Sequence, residues 1–565
     1  MSSRRLLYGH ILGMAPDVIY PTSMLLSRYS PILLLLMSPS LGLAADHSTV
    51  EAGFSSILPP LVAIAGALLF RQIIPAIFLG IWVGAWGVTG FTLTGLWTGL
   101  LDSVQIYVVR ALADEDHVAI IVFSMMIGGM VGIIARNGGM LGVVELFVVW
   151  VKNRKRAQLS TGLMGLTVFF DDYANTLVVG STMRPITDQM GVSREKLAYI
   201  VDSTAAPVAC LALVTTWIGY EVGLIDKAIE SIDGLQQPYL IFLNSLAYSF
   251  YPILAIVFVL MIASMERDFG PMLQAERRAK SEGTIDKGGP EPADSQDNMA
   301  KEDIPHRAIN AALPILLLVV SVLGGLYATG EGDSWREIVG SADSYKALLW
   351  GSLLGVMGAV GLSIGQGVLS ISETMDAWMT GVKGMLAAIV VLVLAWTLAA
   401  ITEELGTGDY LLALLGDRIS LPLLPSLIFL LAATTAFATG SSWGTMGILM
   451  PLTVPLVWAM ASSQGSVDPA DQHIIHAAIA SILAGAVWGD HCSPISDTTI
   501  LSSMASGCDH IAHVRTQLPY ALVVGLVALI SGTLPTAYGL PWWVGLLLAA
   551  VILWGVVRFY GQRVD

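Results

Sequence analysis

Apolar runs separated by short polar or charged segments fill the chain from residue 58 to residue 557. An α-helix needs roughly 20 apolar residues to cross a bilayer, and most of these runs approach that length. The pattern therefore predicts an all-α polytopic membrane protein with about 11 transmembrane helices. Four runs differ from simple crossings, because a polar stretch interrupts each of them.

Two of the interrupted runs have the pattern of re-entrant hairpins. The first covers residues 159–188 and is broken at 169–176, and the second covers 421–460 and is broken at 438–445. Neither side of the first break is long enough to span a membrane. Non-helical backbone at membrane depth is tolerated only where it is buried in protein or lines a cavity. We therefore predict two hairpins, and the acidic tip of the first is predicted to be an ion site.

The other two interrupted runs predict broken helices. Residues 197–218 are interrupted at 202–207, and residues 474–504 are interrupted at 489–499. Each interruption contains an aspartate followed by a proline, Asp202 with Pro207 and Asp490 with Pro494. The ends of half-helices leave backbone N–H and C=O groups unpaired, and these groups bind ions.

The two halves of the chain repeat one order of elements. Each half has three crossings, a short amphipathic segment, a hairpin, a broken helix and a further crossing. Most of the 28 Lys and Arg residues fall on the side assigned to the cytoplasm, which gives the two halves opposite orientations. When the two halves are matched element by element, residues 170–176 correspond to residues 439–445. Inverted repeats with paired discontinuous elements are typical of secondary transporters.

This organisation predicts five regions. They are a leader at 1–45, a first transmembrane repeat at 46–264, a cytoplasmic polar linker at 265–307, a second inverted repeat at 308–535, and a terminal transmembrane helix with a cytoplasmic tail at 536–565. The leader resembles a signal peptide, with Met24 as an alternative start to Met1. Cleavage near Ala45 would place the N-terminus outside the inner membrane. The linker composition predicts disorder.

The composition excludes several classes of function. The chain is 55% hydrophobic and only 13% charged, and its net charge of −15 argues against nucleic-acid binding. No phosphate-binding loop is present, so transport would be driven by ion gradients. The motif Gly406-Thr407-Gly408-Asp409 resembles that of intramembrane aspartyl proteases. It lies near a membrane boundary with turn composition, so no enzymatic activity is expected.

Three stretches resemble NhaC-type sodium/proton antiporters of the ion transporter superfamily. They are the tip of the first hairpin, the tip of the second, and the run Gly-Asp-His-Cys-Ser-Pro-Ile-Ser-Asp at 489–497. The resemblance covers most of residues 55–535. It implies an alternating-access carrier for Na+ and H+ that needs no cofactor. The family also contains exchangers of small organic substrates, so membership leaves the cargo open.

Hard cations such as Na+ prefer oxygen ligands, and the four interruptions supply them. The Na+ candidates are Asp171, Asp172, Asn175, Asp202, Asp490 and Asp497. The further ion- or substrate-binding candidates are Thr176, Ser203, Thr204, Ser441, Ser442, Thr445, His491, Ser493, Ser496, Thr498 and Thr499. An alternative interpretation makes Asp172 or Asp497 a helix N-cap. His491 is a candidate proton relay.

These residues suggest two half-sites. One comprises the acids of the first hairpin with Asp202, and the other comprises Asp490 and its neighbours with the serines of the second hairpin. The predicted function is Na+/H+ antiport. The alternative is Na+- or H+-coupled transport of a small carboxylate or amino acid, with the hydroxyl-rich second tip as its binding place. Expected partners are inorganic cations and membrane lipid, and a homodimer is left open.

Overall fold

The computed structural model describes residues 53–70, 72–230, 232, 237–282, 300–301, 303–333, 338, 341–415, 418–463 and 472–564 of the 565-residue chain. The predicted signal peptide lies outside these residues. Within them, nine helices are long and apolar enough to cross a membrane. A pair bent by 49°, Pro238–Tyr248 with Phe250–Met265, adds a tenth. The prediction of an all-α polytopic membrane protein is confirmed.

Helices of the first half differ widely in length. Their bounds are Leu58–Phe70, Ile73–Val88, Leu93–Asp102, Val109–Ala113, Glu115–Arg136, Gly139–Val148, Arg154–Thr167, Asp172–Gln189, Arg194–Asp202, Ala206–Ala209, Ile218–Ile229, Pro238–Ser245, Phe250–Met265 and Gly270–Glu282. A π-helical turn, Ser103–Val108, and two 3-10 turns, Phe54–Ile57 and Leu246–Tyr248, join neighbouring helices. Leu58–Phe70 and Ile73–Val88 are shorter than the helices long enough to cross a membrane, and they lie side by side.

The second half follows the same order. Its helices are Ile309–Thr329, Ser344–Gly365, Ile371–Glu404, Thr407–Leu415, Leu424–Thr439, Ser442–Ser463, Gln472–Cys492, Asp497–Ser506, His510–Val527, Leu534–Ala537 and Trp542–Gly555. A 3-10 turn covers Leu421–Leu423, and π-helical turns cover Ala528–Thr533 and Val556–Tyr560. The short amphipathic helices Gly139–Val148 and Thr407–Leu415 precede the hairpins in both halves, at the predicted places.

The broken elements occupy the interior. We call Arg154–Thr167 with Asp172–Gln189 the first hairpin, and Leu424–Thr439 with Ser442–Ser463 the second hairpin. Gln472–Cys492, the first part of the second broken helix, is the most enclosed of the long apolar helices described, with 83% of its most apolar stretch buried. The C-terminal segment Trp542–Tyr560 is only 22% buried by the same measure. Helix Gln472–Cys492 therefore lies at the centre of the protein, and Trp542–Tyr560 lies at its periphery.

The beginning of the polar linker is ordered, and the prediction of disorder is wrong for residues 267–282. Strand Arg267–Asp268 pairs antiparallel with Gln562–Arg563, so the linker starts beside the C-terminus. Helix Gly270–Glu282 follows, and two ion pairs, Arg154 with Glu276 and Arg278 with Glu195, dock it on the first half. Composition alone does not reveal these partners, because they are distant in sequence.

Candidate functional site

The tip of the first hairpin carries two adjacent aspartates with different surroundings. Asp171 is the N-cap of Asp172–Gln189 and accepts a hydrogen bond from the Ala174 backbone N–H at 2.7 Å. Asp172 follows in the first helical turn, and neither of its buried carboxylate oxygens has a hydrogen-bond partner among the described residues. The interpretation of Asp172 as the N-cap is therefore wrong, because Asp171 fills that role. Asp172 remains available to a ligand.

Asn175 joins the first hairpin to the first broken helix. Its Nδ2 donates to the carbonyl oxygens of Gly165 at 2.7 Å, Val168 at 3.1 Å and Thr204 at 2.9 Å. Carbonyl oxygens only accept, so these contacts fix the orientation of the amide. Its Oδ1 and the nearby Thr176 Oγ1 are buried without partners in the described structure. The close approach of these two segments depends on Gly165, where a Cβ would meet Thr204 Oγ1 at 2.0 Å.

The first broken helix ends its first part at Asp202. Residues 203–205 are non-helical, Ala206–Ala209 forms one turn, and a second irregular stretch leads to Ile218–Ile229. Asp202 Oδ2 accepts from Thr499 Oγ1 at 3.3 Å and from Gln517 Nε2, whereas the buried Oδ1 has no described partner. Ser203 and Thr204 are buried beside it. Asp202 thus belongs to both halves of the protein, not to the first half-site alone.

Asp490 lies in the last turn of Gln472–Cys492, at the place that corresponds to Asp202. Its Oδ2 accepts from Thr498 Oγ1 at 2.8 Å, and its buried Oδ1 is unpartnered among the described atoms. The C-terminal end of a helix carries partial negative charge. Both broken helices therefore present a carboxylate together with the helix end that attracts a cation.

Asp497 opens the second part of this broken helix. The N-cap is Ser496, which accepts from the Thr499 backbone N–H at 3.4 Å, so the interpretation of Asp497 as the cap is also wrong. The Tyr173 hydroxyl donates to Asp497, which connects the first hairpin to the second broken helix. Ser493 accepts from the Ile495 backbone N–H at 3.3 Å and shapes the break itself.

His491 bridges two elements. Its Nε2 lies 3.0 Å from the Asp202 carbonyl oxygen, and its Nδ1 lies 3.0 Å from the Tyr251 hydroxyl. Because the carbonyl can only accept, Nε2 carries the hydrogen and Nδ1 accepts from Tyr251. This arrangement satisfies a neutral imidazole and orients Asp202. The role of His491 as a proton relay stays a prediction.

The tip of the second hairpin uses its hydroxyl groups internally. Ser441 Oγ accepts from the Gly444 backbone N–H at 3.3 Å, and Thr445 Oγ1 donates to the Ser441 carbonyl at 3.0 Å. Ser442 is buried at the start of the following helix. The Tyr220 hydroxyl donates to the Trp443 carbonyl. The structure therefore places this tip beside the second break, without a hydrogen bond from its described hydroxyls to the carboxylates.

Gly440 brings the second tip against the second break. Its φ is +69°, and a Cβ there would meet the Ile495 carbonyl oxygen at 2.5 Å. We expect Gly440→Ala to lower the midpoint of thermal unfolding in detergent and to slow transport, because left-handed backbone costs an L-residue roughly 1–2 kcal/mol and the contact adds strain. Gly361→Ala is the control, since a Cβ there meets nothing within 4 Å. Equal midpoints for both variants would contradict this packing.

Five carboxylates from both halves form one electrostatic group. Asp172 interacts with Asp171 and Asp497, and Asp490 interacts with Asp497 and Asp202. Lys and Arg are absent from the strongest interactions described for four of these acids, which are Asp171, Asp172, Asp490 and Asp497. Buried like charges are unstable together unless protons or cations neutralise them.

Several buried oxygen atoms on these elements have no hydrogen-bond partner. In the described structure they are Asp172 Oδ1 and Oδ2, Asn175 Oδ1, Thr176 Oγ1, Asp202 Oδ1 and Asp490 Oδ1. Such oxygens suit a hard cation. No group of three His, Cys, Asp or Glu side chains arranged for a metal ion occurs among the described residues. A cation here would therefore be held by mixed carboxylate, amide and hydroxyl oxygens.

Sequence reasoning did not select several residues that contact the carboxylates or His491. Gln517 holds Asp202, Tyr173 holds Asp497, and Tyr251 holds His491. The Thr216 backbone N–H donates to the Phe170 carbonyl at 3.0 Å and so fixes the first tip. Gln517 had a detectable signal, because it is an amide side chain within an apolar helix. Tyr173 and Tyr251 had none beyond their location.

Comparisons with known proteins agree with this architecture. A sequence profile described as the Na+/H+ antiporter family matches residues 208–533. The chain is 31% identical over 484 residues to an uncharacterised protein of Haemophilus influenzae, with 83% of this chain and 88% of the relative covered. It is 30% identical over 224 residues to the arginine/ornithine antiporter ArcD of Halobacterium salinarum, covering 39% and 40% of the two chains.

A solved structure shares the fold. The YdaH transporter of Alcanivorax borkumensis superposes with a TM-score of 0.51 at 15% identity, over 82% of this chain and 90% of that one. This likeness concerns the arrangement of helices and hairpins.

Proposed function

Because this chain belongs to the Na+/H+ antiporter family, whose members are transporters and not enzymes, we propose that it exchanges Na+ for H+ at the carboxylate group. The single observation that carries the proposal is the set of buried, unpartnered oxygens contributed by both halves. Desolvated carboxylates must be neutralised, and either protons or Na+ can do so. Competition between the two for one set of oxygens couples their movements.

Alternating access supplies the rest of the cycle. Asp202 and Asp490 lie on opposite repeats and are linked by Thr499, His491 and Gln517, so one site responds to movement of either half. Exposure to one side favours loading with Na+, and exposure to the other side favours its replacement by protons. The driving force is the gradient of either ion, and no cofactor takes part.

We assign the C-terminus and the start of the linker to the cytoplasmic side of the inner membrane. Their strand pairing places them together, and the surrounding segments are rich in Lys and Arg, as cytoplasmic loops are. The first hairpin then enters from the cytoplasm and the second from outside. Labelling of single cysteines introduced at residues 281 and 562 with an impermeant maleimide would check this orientation.

A relative whose name gives organic substrates supports the alternative of an organic cargo. The partial match to the arginine/ornithine antiporter covers 40% of that protein. Two observations oppose it. Ser441 and Thr445 form hydrogen bonds with backbone groups of their own tip. No Lys or Arg is among the strongest charged neighbours described for Asp490. A carboxylate cargo needs free donors or a positive charge. Inorganic cations therefore fit the site better.

Dye-reported proton flux in everted membrane vesicles tests the proposal. Addition of Na+ to vesicles with an acidic interior is expected to release protons, whereas choline leaves the gradient intact. Li+, K+, arginine and malate are tested in parallel. A response to an organic compound without any cation response would overturn Na+/H+ exchange and support the alternative.

A further inference from the structure

Glu221 is a buried acid outside the carboxylate group. The sequence places it after an apolar run and suggests a residue of an external loop, and this interpretation is wrong. Glu221 lies in the first turn of Ile218–Ile229, its exposed fraction is 0%, and neither carboxyl oxygen has a hydrogen-bond partner among the described residues. A group this enclosed and unsatisfied requires a physical explanation.

The surroundings of Glu221 contain few ionisable groups. The adjoining helix Ser442–Ser463 has none in its sequence, and the packed part of Ile371–Glu404 contributes Trp396, whose indole donates to the Gly223 carbonyl at 3.1 Å. Helix Glu115–Arg136 contributes His117, which is stacked on Trp396 with ring centroids 3.6 Å apart.

Two further elements lie close to Glu221. Pro238–Ser245 contributes Tyr239, and the irregular stretch before the helix contributes the Cys210 thiol. On its own helix, the remaining ionisable groups are Tyr220, Asp226 and Lys227. No charged side chain in the described structure has a resolved effect on Glu221. An ionised carboxylate there would therefore be uncompensated, at a cost of several kcal/mol.

Glu221 lies next to the carboxylate group without belonging to it. Trp217 lies one helical turn earlier on the same face, and its buried indole nitrogen interacts with Asp172. The Cys210 thiol is within electrostatic range of both Glu221 and Asp172. The same helix holds the second tip through Tyr220 and Trp443. Movement of that hairpin thus acts directly on the element that carries Glu221.

We propose that Glu221 is a second proton-carrying carboxyl, which binds one H+ in each cycle in addition to the protons exchanged at the carboxylate group. In the conformation described here the group is the neutral acid, because it has no compensating charge. Its O–H has no acceptor, so the proton is released when the conformational change admits water to the carboxyl. The O–H bond breaks, the carboxylate keeps the electron pair, and the proton enters solvent on that side.

This proposal rests on the proposed function and predicts a stoichiometry. Transport of one Na+ would be coupled to at least two protons, one at Glu221 and one or more at the carboxylate group. Glu221→Gln imitates the neutral acid and cannot release a proton. We expect the variant to fold and to exchange Na+ with one proton fewer per cycle.

Reversal of flux in proteoliposomes measures this difference. The membrane voltage is clamped at zero by valinomycin and equal K+, so net flux stops when the Na+ gradient balances the pH gradient. At a pH difference of one unit, each coupled proton multiplies the balancing Na+ gradient by ten. The Na+ gradient that stops net flux at one pH unit is expected to be tenfold smaller for Glu221→Gln than for the natural protein. Glu403→Gln, an exposed position, is the control and leaves the balance unchanged. An unchanged balance in Glu221→Gln would overturn the proposal.

A second measurement covers a variant that transports too slowly. Infrared difference spectra of the purified natural protein between acid and alkaline buffer contain the carbonyl bands of every carboxyl that titrates. One band is expected to disappear in Glu221→Gln and to shift in Glu221→Asp. Identical spectra in Glu221→Gln would show that the residue never releases its proton. Absence of any Na+ response in the natural protein would instead reject the proposed function, which separates the two failures.

Discussion

Asp490→Asn is expected to reduce Na+-dependent proton flux by at least about a hundredfold. The amide can still accept from Thr498, so the hydrogen bond at 2.8 Å survives, but the negative charge beside the unpartnered Oδ1 is lost. Removing one partner of a buried charge interaction typically costs 3–5 kcal/mol, and each 1.4 kcal/mol corresponds to about a factor of ten. The measurement is the initial rate of flux in proteoliposomes at a Na+ concentration below saturation of the natural protein.

Asp376→Asn provides the matched control. Asp376 is an exposed aspartate on Ile371–Glu404, far from the breaks in sequence, and the same substitution there is expected to leave the rate unchanged. Flux at the natural rate in Asp490→Asn would remove Asp490 from the site. A similar loss in both variants would indicate a general effect of charge on the protein.

Asp172→Asn is expected to separate stability from ion binding. Apart from an interaction with the Trp217 indole, the oxygens of Asp172 have no described side-chain partner, so the substitution loses little contact and relieves repulsion from Asp171 and Asp497. The thermal midpoint without Na+ should therefore stay equal or rise. A ligand at a hundred times its Kd stabilises the native state by about 2.7 kcal/mol, and this Na+-dependent gain should be lost.

The experiment compares thermal unfolding in Na+ and in choline at equal ionic strength. The natural protein should be stabilised by Na+ only, whereas Asp172→Asn should unfold at one temperature in both salts. A variant that is less stable in choline would assign Asp172 a structural role. A variant with the full Na+ stabilisation would exclude it from the cation site.

Much of the fold was predictable because the interruptions are chemically distinct. Polar and Gly/Pro-containing stretches inside apolar runs predicted both hairpins and both broken helices near their observed positions. The predicted half-sites were less accurate, since Asp202 contacts Thr499 and Gln517 of the other half. Such contacts join residues 297 and 315 positions apart, and periodicity along the chain contains no information about them.

Local rules also left single residues undecided. Asp171 and Asp172 are both competent N-caps, and the choice depends on which residue leaves the helix first. The same holds for Ser496 and Asp497. The acids that surround Glu221 in the sequence predict a loop, and only the packing of Ile218–Ile229 against four helices explains its burial. The order in Gly270–Glu282 likewise comes from distant ion pairs.

The central claim is that Na+ and H+ compete for one set of buried oxygens. Direct binding of radioactive Na+ to purified protein, measured over a range of pH, tests it most directly. We predict that the apparent Kd for Na+ rises when the pH falls, by about tenfold per pH unit for each proton that Na+ displaces. We also predict that Asp490→Asn binds Na+ far more weakly than the natural protein. A Kd independent of pH, or full binding by Asp490→Asn, would contradict it.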